Sequence, residues 1–421
     1  EGEGGGPAVV EPEPTVAAAA APSGPPDRIP PEDLSVMVDA WKSLSKGRRK
    51  AAKEKKGAGD ASGLKPEDFS KFAETQKVSL HKSSSKPGIL CLAGSAKGNI
   101  VISGGRDRQA VVYDASAGRA LATLSGSGGE VTAVDVSSDG AVVITGSSNS
   151  AVRLYGGSDY ASRGSVAIGG GGDGENNDTI VSVSVQPTGK YAIAATKSGR
   201  IAFLSLSEGD DMAMAIRAAW TDDGLEKDVM FTCGGLHPDG LIYCVGTSDG
   251  KLRVWDLKGH ALAGVLECEG GFPVSHLSFS ENGYHFASSS ADGTVRVWDL
   301  RKLKCIATLG KTEVKAEDGG GGAAVAARFD PSSKFLAYGH PNGSISVVPV
   351  KEWNSAIAIG GGEEGRGAVS DVLWGPEGTS LVTCCGTERP VRFWGVAAVP
   401  KEEETGQGVG DGKTEGGTDE K

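Results

Sequence analysis

The stretch "SADGTVRVWDL", residues 290–300, joins a tight turn at Asp292-Gly293 to a short apolar run that ends in Trp298-Asp299. An Asp-Gly pair flanked by alternating apolar residues is a hairpin signal, because glycine takes the positive φ that a two-residue turn demands. The same grammar, an apolar strand, a polar turn and a second strand ending in a bulky residue, recurs seven times. It is found in "VISGGRDRQAVVYD" (101), "VITGSSNSAVRLYG" (143), "AIAATKSGRIAFLS" (192), "YCVGTSDGKLRVWD" (243), "FASSSADGTVRVWD" (286), "LAYGHPNGSISVVP" (336) and "LVTCCGTERPVRFW" (381). Six residues before the bulky position stands a polar turn residue: Asp107, Asn149, Ser198, Asp249, Asp292, Asn342 or Glu388.

Each unit is preceded by one more strand, as in "VTAVDVSSDG", and six of the seven are followed by another, as in "ALAGVLEC". After Trp394 no such strand follows. The segment "KVSLHK" (77–82) is the expected substitute, closing a ring of seven four-stranded sheets so that few strand edges stay open. Bulky positions at 113, 155, 204, 255, 298, 348 and 394 resemble the period of WD-repeat β-propellers, and the fold class expected is all-β, a seven-bladed propeller. One departure from that pattern matters. Where a Gly-His dipeptide would open a repeat, the chain has Gly126-Ser127 and Gly270-Gly271, so the buried Asp-His relay is expected not to form and apolar packing, including Trp255, Trp298 and Trp394, is expected to hold the blades.

Composition agrees with this reading. The 65 glycines among 421 residues favour many turns over long helices. No apolar run is long enough for a membrane span, and the absence of a leader points to a soluble, intracellular chain. The seven cysteines include no CxxC pair and sit mostly in apolar runs, as buried thiols in a reducing compartment do. The first residue is Glu1, as expected of a piece of a longer chain or a processed product.

Residues 1–31 hold almost no large hydrophobe and are expected to be disordered; residues 400–421, glycine-rich and acidic, likewise form a tail. Between 32 and 56, Leu34, Met37, Val38, Trp41 and Leu44 recur at helical spacing behind Pro31-Glu32-Asp33, which predicts a short amphipathic helix. It runs into "KGRRKAAKEKK" (46–56). Seven of those eleven residues are Lys or Arg, a pattern open to two readings: a nuclear-import or nucleic-acid contact, or a solvated helix end. Residues 57–76 read as a linker, and 77–399 as the propeller.

Little points to catalysis. "GKT" at 310 and 412 lacks the glycine five residues earlier that a phosphate loop needs, the six histidines lie in different repeats without metal-ligand spacing, and no G-x-S-x-G elbow occurs. No catalytic residue, metal or cofactor is expected. A propeller of this kind binds partners through its loops. The residue before each turn is the contact candidate, and Arg106, Arg108 and Lys197 are expected to form one basic sector on adjacent blades, for a net charge of −11 leaves only local patches of positive potential.

Three stretches are more specific than a generic repeat. "FSENGYHFASSSADGTVRVWDLRKLKCIATL" (279–309), "LHPDGLIYCVGTSDGKLRVWDLK" (236–258) and "LKPEDFSKFAETQKVSLHKSSSKPGIL" (64–90) resemble the C-terminal half of the pre-mRNA-processing factor 19 family, over about residues 33–396. That resemblance implies an upstream U-box that orients a ubiquitin-conjugating enzyme, a coiled coil that forms a homotetramer, and a propeller that recruits proteins of the spliceosome and the nineteen complex, in the nucleus, in splicing and DNA repair. This chain has no counterpart of the U-box and little of the coiled coil, so no catalytic residue carries over. The alternative is a stand-alone WD-repeat scaffold of a signalling or chromatin complex. Neither reading involves a membrane or a small-molecule ligand.

Overall fold

The computed structural model describes residues 26–57, 64–81, 87–95, 99–169, 178–207, 212–310, 325–360 and 367–396. The terminal segments expected to be disordered lie largely outside these, as do most of the glycine-rich inserts.

Seven four-stranded antiparallel sheets form the blades of a propeller. Strands a to d of each run outward from the axis. The inner strands, Ile89–Ser95, Val131–Val136, Ile180–Val185, Phe231–Leu236, Val274–Phe279, Ala327–Phe329 and Val369–Trp374, pack side by side, and the last returns to the first. "SADGTVRVWDL" spans strands b and c of blade 5, with Gly293 at φ 81° in the turn.

Ring closure comes from the N-terminal side, as expected, but the strand starts earlier than the expected 77–82 and shares residues 77–79 with it. The closing strand is Phe72–Ser79, paired with strand c of blade 7 (Pro390–Val396) from Phe72↔Val396 to Ser79↔Pro390. Its first half reads as linker because an outermost strand covers only one face, and its residues alternate between buried or half-buried and exposed. The expected linker 57–76 therefore contains structure. A 3-10 turn, Pro66–Lys71, precedes the strand and drives Phe69 into the seam between blades 6 and 7, where its fully buried ring lies 4.7 Å from Phe335 and 6.0 Å from Trp374.

The inner strands share a device invisible to hydropathy. In six blades a β-bulge displaces the second residue: Leu90, Thr132, Val181, Thr232, Ser275 or Ser370. Three of these re-aimed side chains donate to the backbone at the start of the next blade: Thr132 to Ile180 O (2.6 Å), Ser275 to Val325 O (2.9 Å) and Ser370 to Ile89 O (2.7 Å). Buried Cys91 and Cys233 make longer contacts of the same kind with Val131 O and Val274 O. Burial pushes both thiols well up, so they stay protonated and act as donors.

The expectation that no Asp-His relay forms is overturned in blade 1. His81 Nδ1–H donates to the Asp107 carboxylate (2.8 Å), and Nε2 lies 2.9 Å from the Ser103 hydroxyl. What the relay needs is an imidazole in the connection entering the blade; a preceding glycine is dispensable, and here Leu80 precedes it. In blades 4, 5 and 7 an arginine two residues before the tryptophan ties the blade to its surroundings. Arg253 is held by Asp222, both buried; Arg296 donates to Glu269 O (2.8 Å); Arg392 is paired with Glu388 and Glu74. Trp298 and Trp394 donate to Ser288 and Thr383, each at 2.9 Å, so blade cohesion is polar as well as apolar.

Helix α1 (Pro31–Gly57) is long, continuing through the basic run, and its apolar stripe is docked. Met37 is fully buried, and with Leu34, Val38 and Trp41 it packs against Tyr191, Phe203, Trp220 and Trp255 of blades 3 and 4. Residues assigned to the disordered leader join it: Ile29 is buried, and Ala219 N–H donates to Pro26 O (3.0 Å). Asp33 accepts from Tyr191 (2.9 Å) and Arg217 (2.9 Å), while at the far end Arg48 is paired with Asp239 in the a–b turn of blade 4. The helix thus lies on the face carrying the a–b turns.

Two outcomes test this architecture. Phe69→Ala should cost about 3–5 kcal/mol in denaturant unfolding, since its cavity opens the closing seam. His237, beneath α1, donates from Nε2–H to Gly283 O (3.1 Å) and accepts from Asp239 N–H at Nδ1 (3.0 Å), a pattern only the neutral ring allows. Burial, opposed by the Gly283 bond and aided by Arg48, brings it down to about 4. Because the unfolded chain binds this proton first, stability present above pH ~6.5 is lost as pH falls towards 4, by about 3 kcal/mol. His237→Gln should lose that component, and a wild-type-minus-variant difference that stays constant from pH 7 to 4 would contradict it.

Candidate partner-binding face and channel

The b–c turns open on the face opposite α1. Their polar residues set the loop shape: Asp292 Oδ1 accepts from Thr294 N–H (2.9 Å), Asn342 Oδ1 from Ser344 N–H (3.1 Å), and Asp107 Oδ1 from Gln109 N–H (3.2 Å). The residues beside them are left to solvent. Arg106, Arg108 and Lys197 are all exposed. Arg108 holds a left-handed φ of 66°, which turns it out of the hairpin, while Arg106 N–H donates to Gly88 O (3.0 Å).

These three residues do not lie on adjacent blades. Arg106 and Arg108 belong to blade 1 and Lys197 to blade 3; blade 2 stands between with Ser148 at the equivalent place. Acidic residues interleave as well: Ser148 N–H donates to Glu130 O (2.9 Å), and Asp178 accepts from Ser198 N–H (3.0 Å) next to Lys197. Two separated basic points therefore replace the expected continuous sector.

Attention to b–c turns alone misses an apolar sector on the same face. Met230 is 38% and Phe272 46% exposed, in the connections entering blades 4 and 5. They flank the blade 4 turn: Met230 O accepts from Ser248 N–H (2.9 Å), and the backbone at Gly271-Phe272 lies against Gly250, while Phe272 O also accepts from Ser290 of blade 5 (3.3 Å). The signal available in sequence was an aromatic ahead of proline in "GGFPVS", outside the apolar strand pattern.

The turns surround a channel of about 660 Å³ along the propeller axis, with Arg106 and Thr387 at this mouth. Inside, Asp371 of blade 7 accepts from Leu92 N–H of blade 1 (2.7 Å) and from Arg328 of blade 6 (3.2 Å), and His276 of blade 5 lies 3.4 Å away. Burial pushes the Asp371 carboxyl up, but Arg328 and His276 outweigh it and leave it below the usual carboxylate range. Asp135, on the blade 2 wall, goes the other way: burial raises it to about 6 despite hydrogen bonds from Val185 (2.7 Å) and Val136 (2.9 Å) N–H.

The channel is a polar bore lined by the inner strands. The Ser103–His81–Asp107 constellation has the spacing of a hydrolytic triad, yet Ser103 is fully and His81 almost fully buried, which leaves no approach for a substrate. Among the described residues no group of three His, Cys, Asp or Glu is placed to hold a metal ion, and no helix is long and apolar enough to cross a membrane. Asp371→Ala should strip Leu92 and Arg328 of their partner at once and lower unfolding free energy by about 2–3 kcal/mol, measurable by chemical denaturation.

The WD domain, G-beta repeat family matches residues 74–114, 118–156, 226–256 and 261–299, which fall on the closing strand with blade 1 and on blades 2, 4 and 5. The chain is 30% identical over 331 residues to pre-mRNA-processing factor 19 homolog 2 of Arabidopsis thaliana, covering 77% of this chain and 58% of that protein. It is 28% identical over 327 residues to pre-mRNA-processing factor 19 of Oryza sativa subsp. japonica (77% and 58%), and 28% over 352 residues to that of Caenorhabditis elegans (83% and 65%). The chain thus spans about three fifths of the length of these relatives.

Proposed function

We propose that this chain, a seven-bladed WD-repeat propeller, is the substrate- and partner-binding part of a nuclear ubiquitin-protein ligase acting in pre-mRNA splicing and DNA repair. The observation that carries the reading is the likeness, over 77% of the chain, to proteins named for pre-mRNA processing. In this reading the ligase step belongs to a U-box, which orients a ubiquitin-conjugating enzyme, and tetramer formation to a coiled coil; the chain itself contains no U-box. The propeller contributes recognition. Arg106, Arg108 and Lys197 attract acidic segments of spliceosomal and nineteen-complex proteins, and Met230 and Phe272 supply the apolar anchor that charge alone does not give.

Affinity purification from nuclear extract tests it. The full-length gene product should bring down splicing proteins, and Arg106→Glu/Lys197→Glu/Phe272→Ala should lose them at least tenfold while melting like the wild type. An eluate without splicing proteins refutes the splicing assignment in favour of a stand-alone scaffold; splicing proteins retained by the variant refute the assignment of the face.

A further inference from the structure

Blade 2 carries an arginine that its own blade does not answer. Arg153 stands two residues before the bulky Tyr155 and directly across the sheet from Thr145, as Arg253 stands opposite Val245, Arg296 opposite Ser288 and Arg392 opposite Thr383. Each of those three finds an acceptor within the chain: both oxygens of Asp222 for Arg253, Glu269 O for Arg296 and Glu388 for Arg392. Arg153 has no hydrogen bond or ion pair among the described residues. It is half-buried, and its Nε is shielded from solvent without a partner.

The cause lies in the connection that enters the blade. Strand register makes Val78, Leu124 and Leu266 equivalent, for they pair with Val391, Ala110 and Leu252, each three residues before the bulky position of strand c. Three residues further on stand His81, which forms the relay of blade 1, Glu269, whose carbonyl receives Arg296 in blade 5, and Ser127 in blade 2. By the same count Asp222 stands two residues after Trp220, the partner of Ile201. Blade 2 is entered through "SGSGG" (125–129), which brings neither an acid nor an imidazole. The Ser127 hydroxyl is buried and itself unpartnered, and Glu130, the next residue, makes no ion pair among the described residues. Gly126 and Gly128, both exposed and at φ 90° and 73°, put no side chain over this part of the b–c face.

The Arg253–Asp222 pair shows what an arginine at this register position takes. A carboxylate engages Nε and a terminal nitrogen together, the two-pronged geometry that fits a guanidinium to a carboxylate. Location selects the same ligand. Blade 2 stands between exposed Arg106 and Arg108 of blade 1 and Lys197 of blade 3, so an acidic segment laid across those cations passes over it. We propose that Arg153 receives an aspartate or glutamate side chain of a bound partner, as Arg253 receives Asp222 within the chain. The inference rests on the reading of the b–c face as the surface that meets acidic segments, and it names the residue that grips one carboxylate there.

Fluorescence anisotropy on the whole chain tests it, with a labelled peptide of six Glu-Gly repeats and its Gln-Gly counterpart at 50 mM salt. The acidic peptide should bind at least tenfold more tightly than the neutral one. Arg153→Gln should weaken it at least fivefold, as the loss of a charge-assisted pair does. Arg153→Lys, a point charge, should not restore wild-type affinity. Arg153→Gln forfeits no internal bond and should melt with the wild type, whereas Arg253→Gln strips buried Asp222 of its partner and should melt about 5 °C lower or more. Ser127→Asp places a carboxylate at the position from which Glu269 O reaches Arg296, and should weaken the acidic peptide at least fivefold by occupying Arg153 from within. A preference for the acidic peptide below tenfold, affinity in Arg153→Gln within fivefold of wild type, full affinity in Arg153→Lys, or unchanged affinity in Ser127→Asp overturns the proposal. Loss of the peptide in Arg106→Glu/Lys197→Glu but not in Arg153→Gln sinks the role of Arg153 and leaves the face standing. The probe is synthetic, so an eluate without splicing proteins leaves these measurements untouched.

Discussion

The pairing of Phe72–Ser79 with Pro390–Val396 is the contact on which the remaining architecture depends. Every blade rests on two neighbours, so a ring one strand short would leave strand c of blade 7 as an open edge, with its backbone donors and acceptors unpaired. Closure joins residues more than 300 positions apart, and its entropy cost is borne once for the whole ring. The seam is reinforced where it would otherwise be weakest: Phe69 plugs blades 6 and 7, Thr75 donates to Phe393 O, Gln76 donates to Tyr113 of blade 1, and His81 completes the relay in that same blade.

Closure in turn explains the polar bonds between inner strands. The bulges convert Thr132, Ser275 and Ser370 into donors toward the adjoining blade, and Asp371 joins blades 6, 7 and 1 through Arg328 and Leu92. In three of the blades without a histidine relay a buried arginine stands in: Arg296 and Arg392 reach both the b–c turn and the incoming connection or closing strand, and Arg253 reaches Asp222 in the incoming connection. The ring is rigid for polar as well as apolar reasons, and its turns present side chains at fixed positions.

Docking of α1 divides the two faces by task. On the a–b side the helix covers blades 3 and 4; on the opposite side lie the b–c turns and one mouth of the channel. Whatever precedes α1 in the chain is thereby given a fixed point of entry, set by Asp33 between Tyr191 and Arg217.

Seven copies of one hairpin grammar determine the blade count, because period-two alternation and Asp-Gly or Asn-Gly turns are local signals with local causes. The apolar stripe of α1 and the need for a borrowed outer strand were legible for the same reason. What tertiary structure alone decided was which partners those signals meet. The closing strand was misplaced toward 77–82 because half-exposed residues such as Glu74 and Gln76 look like linker until a neighbour covers one side. The relay was missed because His81 is brought to Asp107 and Ser103 by closure, across the chain's own turn. Arg106 and Lys197 were read as neighbours although a blade separates them, for sequence records order along the chain and not angle around an axis. Local periodicity is written in the residues; long-range adjacency appears only once the ring has closed.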